Sequence, residues 1–160
     1  CFDTEYTELG TLVNRLKYKK EKDALDEIVN TASKFIVSKE WDIDLIVPVP
    51  PSQADREFQP VYEIAKRIGS RLDIRVSLDC VAKQKKTPEL KSIDGYAERI
   101  KLLKGAFAVN TRILEGKRVL LLDDLYRSGA TLDVIADTII KEGEAEKVYA
   151  LTITKTRRNR

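Results

Sequence analysis

A chain of 160 residues is long enough for one domain with a substantial core and too short for two comfortable ones, and its 42% hydrophobic, 34% charged composition is that of a globular protein. No apolar run approaches the ~20 residues that a membrane-spanning helix needs, which argues against a helical membrane protein. The net charge of +3 is too small to argue for nucleic acid as the principal partner, although basic residues cluster in "AKQKK" and in the terminal "TKTRRNR".

Taken in chain order, the elements begin with two amphipathic helices. "TELGTLVNRLKYK" places Leu9, Leu12, Val13 and Leu16 on one stripe, and "DALDEIVNTASKFI" repeats the pattern with Leu25, Ile28, Val29, Ala32 and Ile36. "DLIVPVPPSQADREFQ" reads as a buried strand from Asp44 to Val49, stopped by Pro50 and Pro51 and followed by a polar loop. Val61, Ile64, Ala65, Ile68 and Leu72 predict a third helix, and "VSLDCVAK" a second strand. Residues 84–104 form a long charged segment with little periodicity, a length that is uncommon for a loop in a compact domain and often functional, and "GAFAVN" then offers a short strand. A strand from Arg118 to Leu122, a turn, a helix through Leu132, Ile135, Ala136 and Ile139 ending near Gly143, and a last strand "KVYALTIT" complete the chain. Strands alternating with helices predict an α/β domain whose central sheet is mainly parallel and flanked by helices.

The cysteines are Cys1 and Cys80, and histidine is absent, so neither a disulfide framework nor a four-ligand zinc site is expected, and a reducing cytoplasm is the easiest compartment to reconcile with them. A chain that begins with Cys1 reads as a fragment or a processed product. An N-terminal cysteine can serve as a nucleophile, but the inert role is the commoner one.

The chemistry concentrates in "VLLLDDLYRSGAT". Asp123 and Asp124 end an aliphatic strand that has no place for buried charge, so they are expected at its carboxyl edge, where open parallel sheets bind ligands. The loop that follows carries Arg127, Ser128, Gly129, Ala130 and Thr131 into a helix. There, backbone N–H groups, hydroxyls and the helix dipole can converge on one anion, with Gly129 letting the backbone approach closely. Carboxylates beside such a cradle would repel a phosphate that they faced but are good acceptors for a sugar diol, so the combination points to a phosphorylated sugar. A P-loop is excluded, because "LEGKRV" has the Gly-Lys without the preceding spacing or the following Ser/Thr. A phosphoryl-receiver domain would need an aspartate on another strand, where "DLIVPVP" ends in prolines.

"VLLLDDLYRSGAT" resembles the signature of the type I phosphoribosyltransferases, which bind 5-phosphoribosyl-1-pyrophosphate, and most of the chain is similar to their ComF-type, amidophosphoribosyltransferase-like branch. "LVNRLKYKK" is similar to the leucine- and lysine-rich helix that opens this branch, "DLIVPVPPSQADREF" to its strand and pyrophosphate loop, and "KTPEL" with "ERIKLLKGAF" to its mobile loop. Departures fall at Arg127 and Ser128, where the branch commonly has threonines, at Glu57, where it has glycine, and at Gln59 and Pro60.

The resemblance implies a phosphoribosyltransferase fold with a helical hood over residues 1–42 and a core over 43–160, the mobile loop being 84–104. It implies the 5′-phosphate on Arg127 to Thr131 and pyrophosphate on Pro51, Ser52, Gln53 and Arg56. Asp123 and Asp124 would act on the ribose hydroxyls and near Mg²⁺, with the ion reached through substrate and water. Lys85, Lys86 and Arg99 would cover the leaving group. The implied partners are a nitrogen acceptor, for whose base Tyr6, Tyr18 or Trp41 could offer a stacking ring, and a second copy of the chain, with no membrane. The competing reading is a non-catalytic binding module of the same fold, with Lys155, Arg157, Arg158 and Arg160 as a phosphate-contacting tail.

Overall fold

The computed structural model describes residues 8–19, 21–52, 57–88, 90, 93 and 95–155. In chain order the elements are α1 (Glu8–Lys19), α2 (Lys22–Ser38), β1 (Leu45–Pro48), α3 (Pro60–Leu72), β2 (Arg75–Val76), β3 (Val81–Lys83), α4 (Tyr96–Leu103), β4 (Phe107–Val109), α5 (Thr111–Leu114), β5 (Arg118–Tyr126), α6 (Ala130–Lys141) and β6 (Lys147–Lys155). The central sheet runs β2-β1-β5-β6 with every neighbouring pair parallel, and β3 and β4 form a separate antiparallel pair.

The central strands are covered on both faces, so the sequence shows a continuous apolar run rather than alternation. Ile46, Leu120 and Leu122 turn to one face, where they meet Leu12 and Leu16 of α1, Ile28 and Ile36 of α2, and Ile64 and Ile68 of α3. The two opening helices thus share one core layer with α3. Leu45, Val47, Val119 and Leu121 turn to the other face, against Leu132, Ile135 and Ile139 of α6 and against Val81, Leu103, Phe107 and Leu114 of the shorter elements.

At the amino edge, charge fixes the register. Arg118 Nε and Nη2 donate to the two carboxylate oxygens of Asp44 at 2.9 and 2.8 Å, the Arg118 backbone N–H donates to Asp44 Oδ2 at 2.8 Å, and Asp42 pairs with the same guanidinium. A bidentate Arg–carboxylate pair is directional, and here it sets Leu45 opposite Val119. Trp41 lies at this edge too, stacked on Tyr149 with ring centroids 5.0 Å apart. Its ring is therefore taken up by packing at the end of the sheet opposite the acid pair, not offered to a base there.

Three local expectations change. "VSLDCVAK" is not one strand: only Arg75–Val76 joins the central sheet, a turn closed by Ser77 Oγ donating to Asp79 Oδ1 at 3.1 Å follows, and Val81–Lys83 pairs with β4 instead. The segment 84–104 is not all loop, because α4 forms within it, buries Leu103 and rests on α6. The strand expected to stop at Leu122 continues to Tyr126 because β6 pairs with it that far.

Candidate active site at the carboxyl edge of the sheet

β1 and β5 are neighbours, yet the strand order leads from β1 to β2 on one side and from β5 to β6 on the other. Their carboxyl ends lie where the order reverses, the place where ligands settle in open parallel sheets. β1 ends first. Its last pairing sets Pro48 opposite Leu122, the Val49 N–H donates to the Leu122 carbonyl at 2.8 Å, and Pro50 and Pro51 have no N–H with which to prolong the ladder. Beyond that point, among the described residues, β5 pairs with β6 alone, with Asp123 opposite Thr152 and Leu125 opposite Thr154. The acid pair begins where one neighbouring strand has been lost, which is how carboxylates can occupy an otherwise buried strand.

The two carboxylates have different surroundings. Burial pushes Asp123 up from an ordinary 3.8 to about 7, and the charge of Asp124 adds to the rise. The Asp124 N–H, donating to Asp123 Oδ1 at 2.8 Å, the nearby Lys17 and the Leu125 N–H all oppose it. Asp124 instead has an ion pair: Lys17 Nζ of α1 contacts its Oδ2, with the two side chains 26% and 18% exposed. Thr154 Oγ1 donates to the Asp124 carbonyl at 2.9 Å and ties the backbone of the pair to β6.

The turn then presents the amino end of a 12-residue helix. Gly129 is its cap, in the left-handed region at φ 81, and as a glycine offers no side chain to the first N–H groups of the helix. Ser128 Oγ accepts the Ala130 N–H at 3.4 Å, Ala130 is buried, Thr131 is half-buried, and Arg127 is exposed. A Cβ on Gly129 would come within 2.8 Å of Tyr126 Oη, so the Tyr126 ring forms a wall against this glycine. N–H groups without helical partners and the positive end of the helix dipole are features that can hold one anion.

Of the remaining expected residues, half-buried Pro51 and exposed Ser52 directly follow β1, while Gln53 and Arg56 lie outside the described residues. Lys85 and Lys86 are exposed just after β3, and Arg99 Nε donates to the Ile93 carbonyl at 3.0 Å. Among the described residues no ion pair or hydrogen bond joins these three to the acid pair. α4 is held instead to the first turn of α6, where Tyr96 Oη donates to Asp133 Oδ2 at 2.7 Å. Cys1, Tyr6, the Tyr18 side chain, Arg157, Arg158 and Arg160 also lie outside the described residues, and Lys155 closes β6 with its Nζ 5.7 Å from the Tyr126 ring centroid.

An open groove of ≈ 670 Å³ runs between α2 and α3, lined by Asp26, Lys66, Arg67 and Arg71 among others, and shares no residue with this site. Sequence reasoning missed Lys17. Its only signal is its place next to the buried Leu16 in "LVNRLKYKK".

The comparisons fit this geometry. Residues 21–160 match the family described as the phosphoribosyl transferase domain. The chain belongs to the phosphoribosyltransferase family. It is 26% identical over 155 residues to the competence protein ComFC of Bacillus subtilis (strain 168), a match covering 90% of this chain and 58% of that protein. The chain thus spans less than two thirds of this relative's length, and with it stands in the ComF-type branch of the type I phosphoribosyltransferase family. Its fold is similar to the adenine phosphoribosyltransferase of Thermoanaerobacter pseudethanolicus, with a TM-score of 0.57 at 18% identity over 85% of this chain and 70% of that one. The adenine phosphoribosyltransferase of Leishmania tarentolae gives 0.59 at 14% identity, over 88% and 62%. No helix among the described residues is long and apolar enough to cross a membrane.

Proposed function

We propose that this chain binds 5-phosphoribosyl-1-pyrophosphate at the carboxyl edge of its sheet and transfers ribose 5-phosphate to a nitrogen acceptor, releasing pyrophosphate. The observation that carries the reading is the succession, between Asp123 and Thr131, of paired carboxylates at the switch point and a left-handed glycine opening a helix. Residues 127–131 take the 5′-phosphate, and Asp123 and Asp124 accept hydrogen bonds from the ribose hydroxyls. Pro51 and Ser52, with Gln53 and Arg56, take the pyrophosphate. Lys85, Lys86 and Arg99 close over it, and the end of α1 together with α2 forms the acceptor side.

Magnesium enters as part of the substrate. The residues do not suit a protein-only site for it: one carboxylate of the pair already holds an ammonium, and no cluster of three or more Asp, Glu, Cys or His ligands occurs among the described residues. Its oxygens would come from pyrophosphate, sugar and water, as this hard cation prefers. The chain's own residues orient and stabilise. The anomeric C–O bond breaks, pyrophosphate departs with the electron pair, and the acceptor nitrogen bonds to the cation-like carbon and releases its proton to the departing pyrophosphate or to water, with no covalent nucleophile required. The double substitution Asp123→Asn with Asp124→Asn tests this. Calorimetric titration with ribose 5-phosphate and Mg²⁺ should show binding to the unmodified chain and none to the variant, and equal affinity would remove the assignment. The engagement of Arg99 with a backbone carbonyl, away from the acid pair, favours a second reading, a ligand-binding module without turnover. Pyrophosphate release in a screen of nucleobases and ammonia separates the two.

A further inference from the structure

The acid pair comes with a cation of its own. Lys17 follows Leu16, which is 1% exposed in the core, so its stem leaves a helix already packed on α2 and β6. Most surface lysines lose as much rotamer freedom in an ion pair as they gain in attraction, but one projected from a packed helix onto a half-buried carboxylate is largely placed before the contact forms. Asp124 accepts this ammonium on Oδ2, and a carboxylate has lone pairs to spare, so Oδ1 can still accept a hydroxyl.

We propose that Lys17 is a positioning residue of the sugar site, the resident counter-cation that orients Asp124 as a hydroxyl acceptor and keeps a free divalent cation off the acid pair. The orienting role rests on the ribose reading above; the exclusion of a divalent cation rests on charge alone. Without Lys17 the Asp124 carboxylate has no ammonium against it, and the nearby charge of Asp123 adds to its attraction for a divalent ion. With Lys17 present, the charge of Asp124 is already answered and an incoming dication meets an ammonium. The opening helix is thereby part of the sugar site, reached through Asp124 and not through the ligand.

The experiment titrates Mn²⁺ alone, followed by water proton relaxation at pH 8, into the unmodified chain, Lys17→Met, Lys17→Gln and Lys17→Arg. The Met and Gln variants should bind Mn²⁺ at least about tenfold more tightly, the Arg variant like the unmodified chain, and Asp124→Asn added to Lys17→Met should abolish the gain. Lys17→Gln keeps a polar helix former at the position, so the comparison stands even if Lys17→Met does not fold. In EDTA, ribose 5-phosphate should bind the unmodified chain and Lys17→Arg alike and Lys17→Met about tenfold more weakly. Equal Mn²⁺ affinity with and without the lysine, or a gain that survives Asp124→Asn, overturns the proposal. If the unmodified chain binds no ribose 5-phosphate even with Mg²⁺, the ribose reading fails, and the Mn²⁺ comparison still decides whether Lys17 guards the pair.

Discussion

Replacing Asp123 by asparagine removes a charge that the fold holds at a disadvantage. The carboxyl titrates near 3.8 when unfolded and at about 7 when folded. Between those pH values the native state keeps a proton that the unfolded chain has released, so stability falls as pH rises through the window; the penalty is absent below about 4 and complete above about 7. The separation corresponds to about 4 kcal/mol, and because the side chain keeps some contact with water we expect about 2–4 kcal/mol. Asparagine retains an oxygen for the Asp124 N–H and has no such titration. Asp123→Asn should therefore unfold at higher urea than the unmodified chain at pH 8.5, with the difference shrinking toward zero at pH 4.5. The single tryptophan, Trp41, reports the transition from its stack on Tyr149. A stability difference that stays constant from pH 4.5 to 8.5 would refute the burial argument.

Gly129→Ala forces a side chain into the left-handed region, at about 1–2 kcal/mol, and against the Tyr126 ring, so ribose 5-phosphate affinity should fall at least about tenfold in calorimetry, and an unaltered affinity would show that the turn does not grip the phosphate. Gly69→Ala tests the far side of the sheet: its Cβ would sit 2.7 Å from the Ile74 carbonyl oxygen and against Val76, so urea unfolding should show a loss of about 1–3 kcal/mol while the folded protein still binds ribose 5-phosphate.

Long apolar stripes were readable because a helix or strand covered along its length repeats its burial many times: Leu12, Val13 and Leu16, or Ile64 and Ile68, announce their faces unaided. Short elements were not. α4 turns little more than Ile100 and Leu103 toward the core, and α5 spans only Thr111–Leu114, too few residues for a period to show. Nothing in "VSLDCVAK" separates one strand from two, since the Ser77–Asp79 turn uses neither glycine nor proline. The carboxyl end of β5 depends on its partner, because Leu125 and Tyr126 are strand residues only while β6 runs beside them. The acid pair and the glycine turn were legible because their chemistry is local. The lysine that meets Asp124 comes from the other end of the chain, and no local pattern can display such a contact.

Pairing Leu45 with Val119 joins positions 74 residues apart, and this has a consequence during synthesis. At about 5–20 residues per second, β1 leaves the ribosome roughly 4–15 seconds before β5 exists, with the two-residue β2 as its one strand partner among the described residues in the meantime. An unpaired aliphatic strand waiting that long invites association with other nascent chains. Pro48, Pro50 and Pro51 make "LIVPVPP" a poor template for foreign strands. The prolines that uncover the acid pair in the finished molecule thus also guard the strand before its proper neighbour arrives.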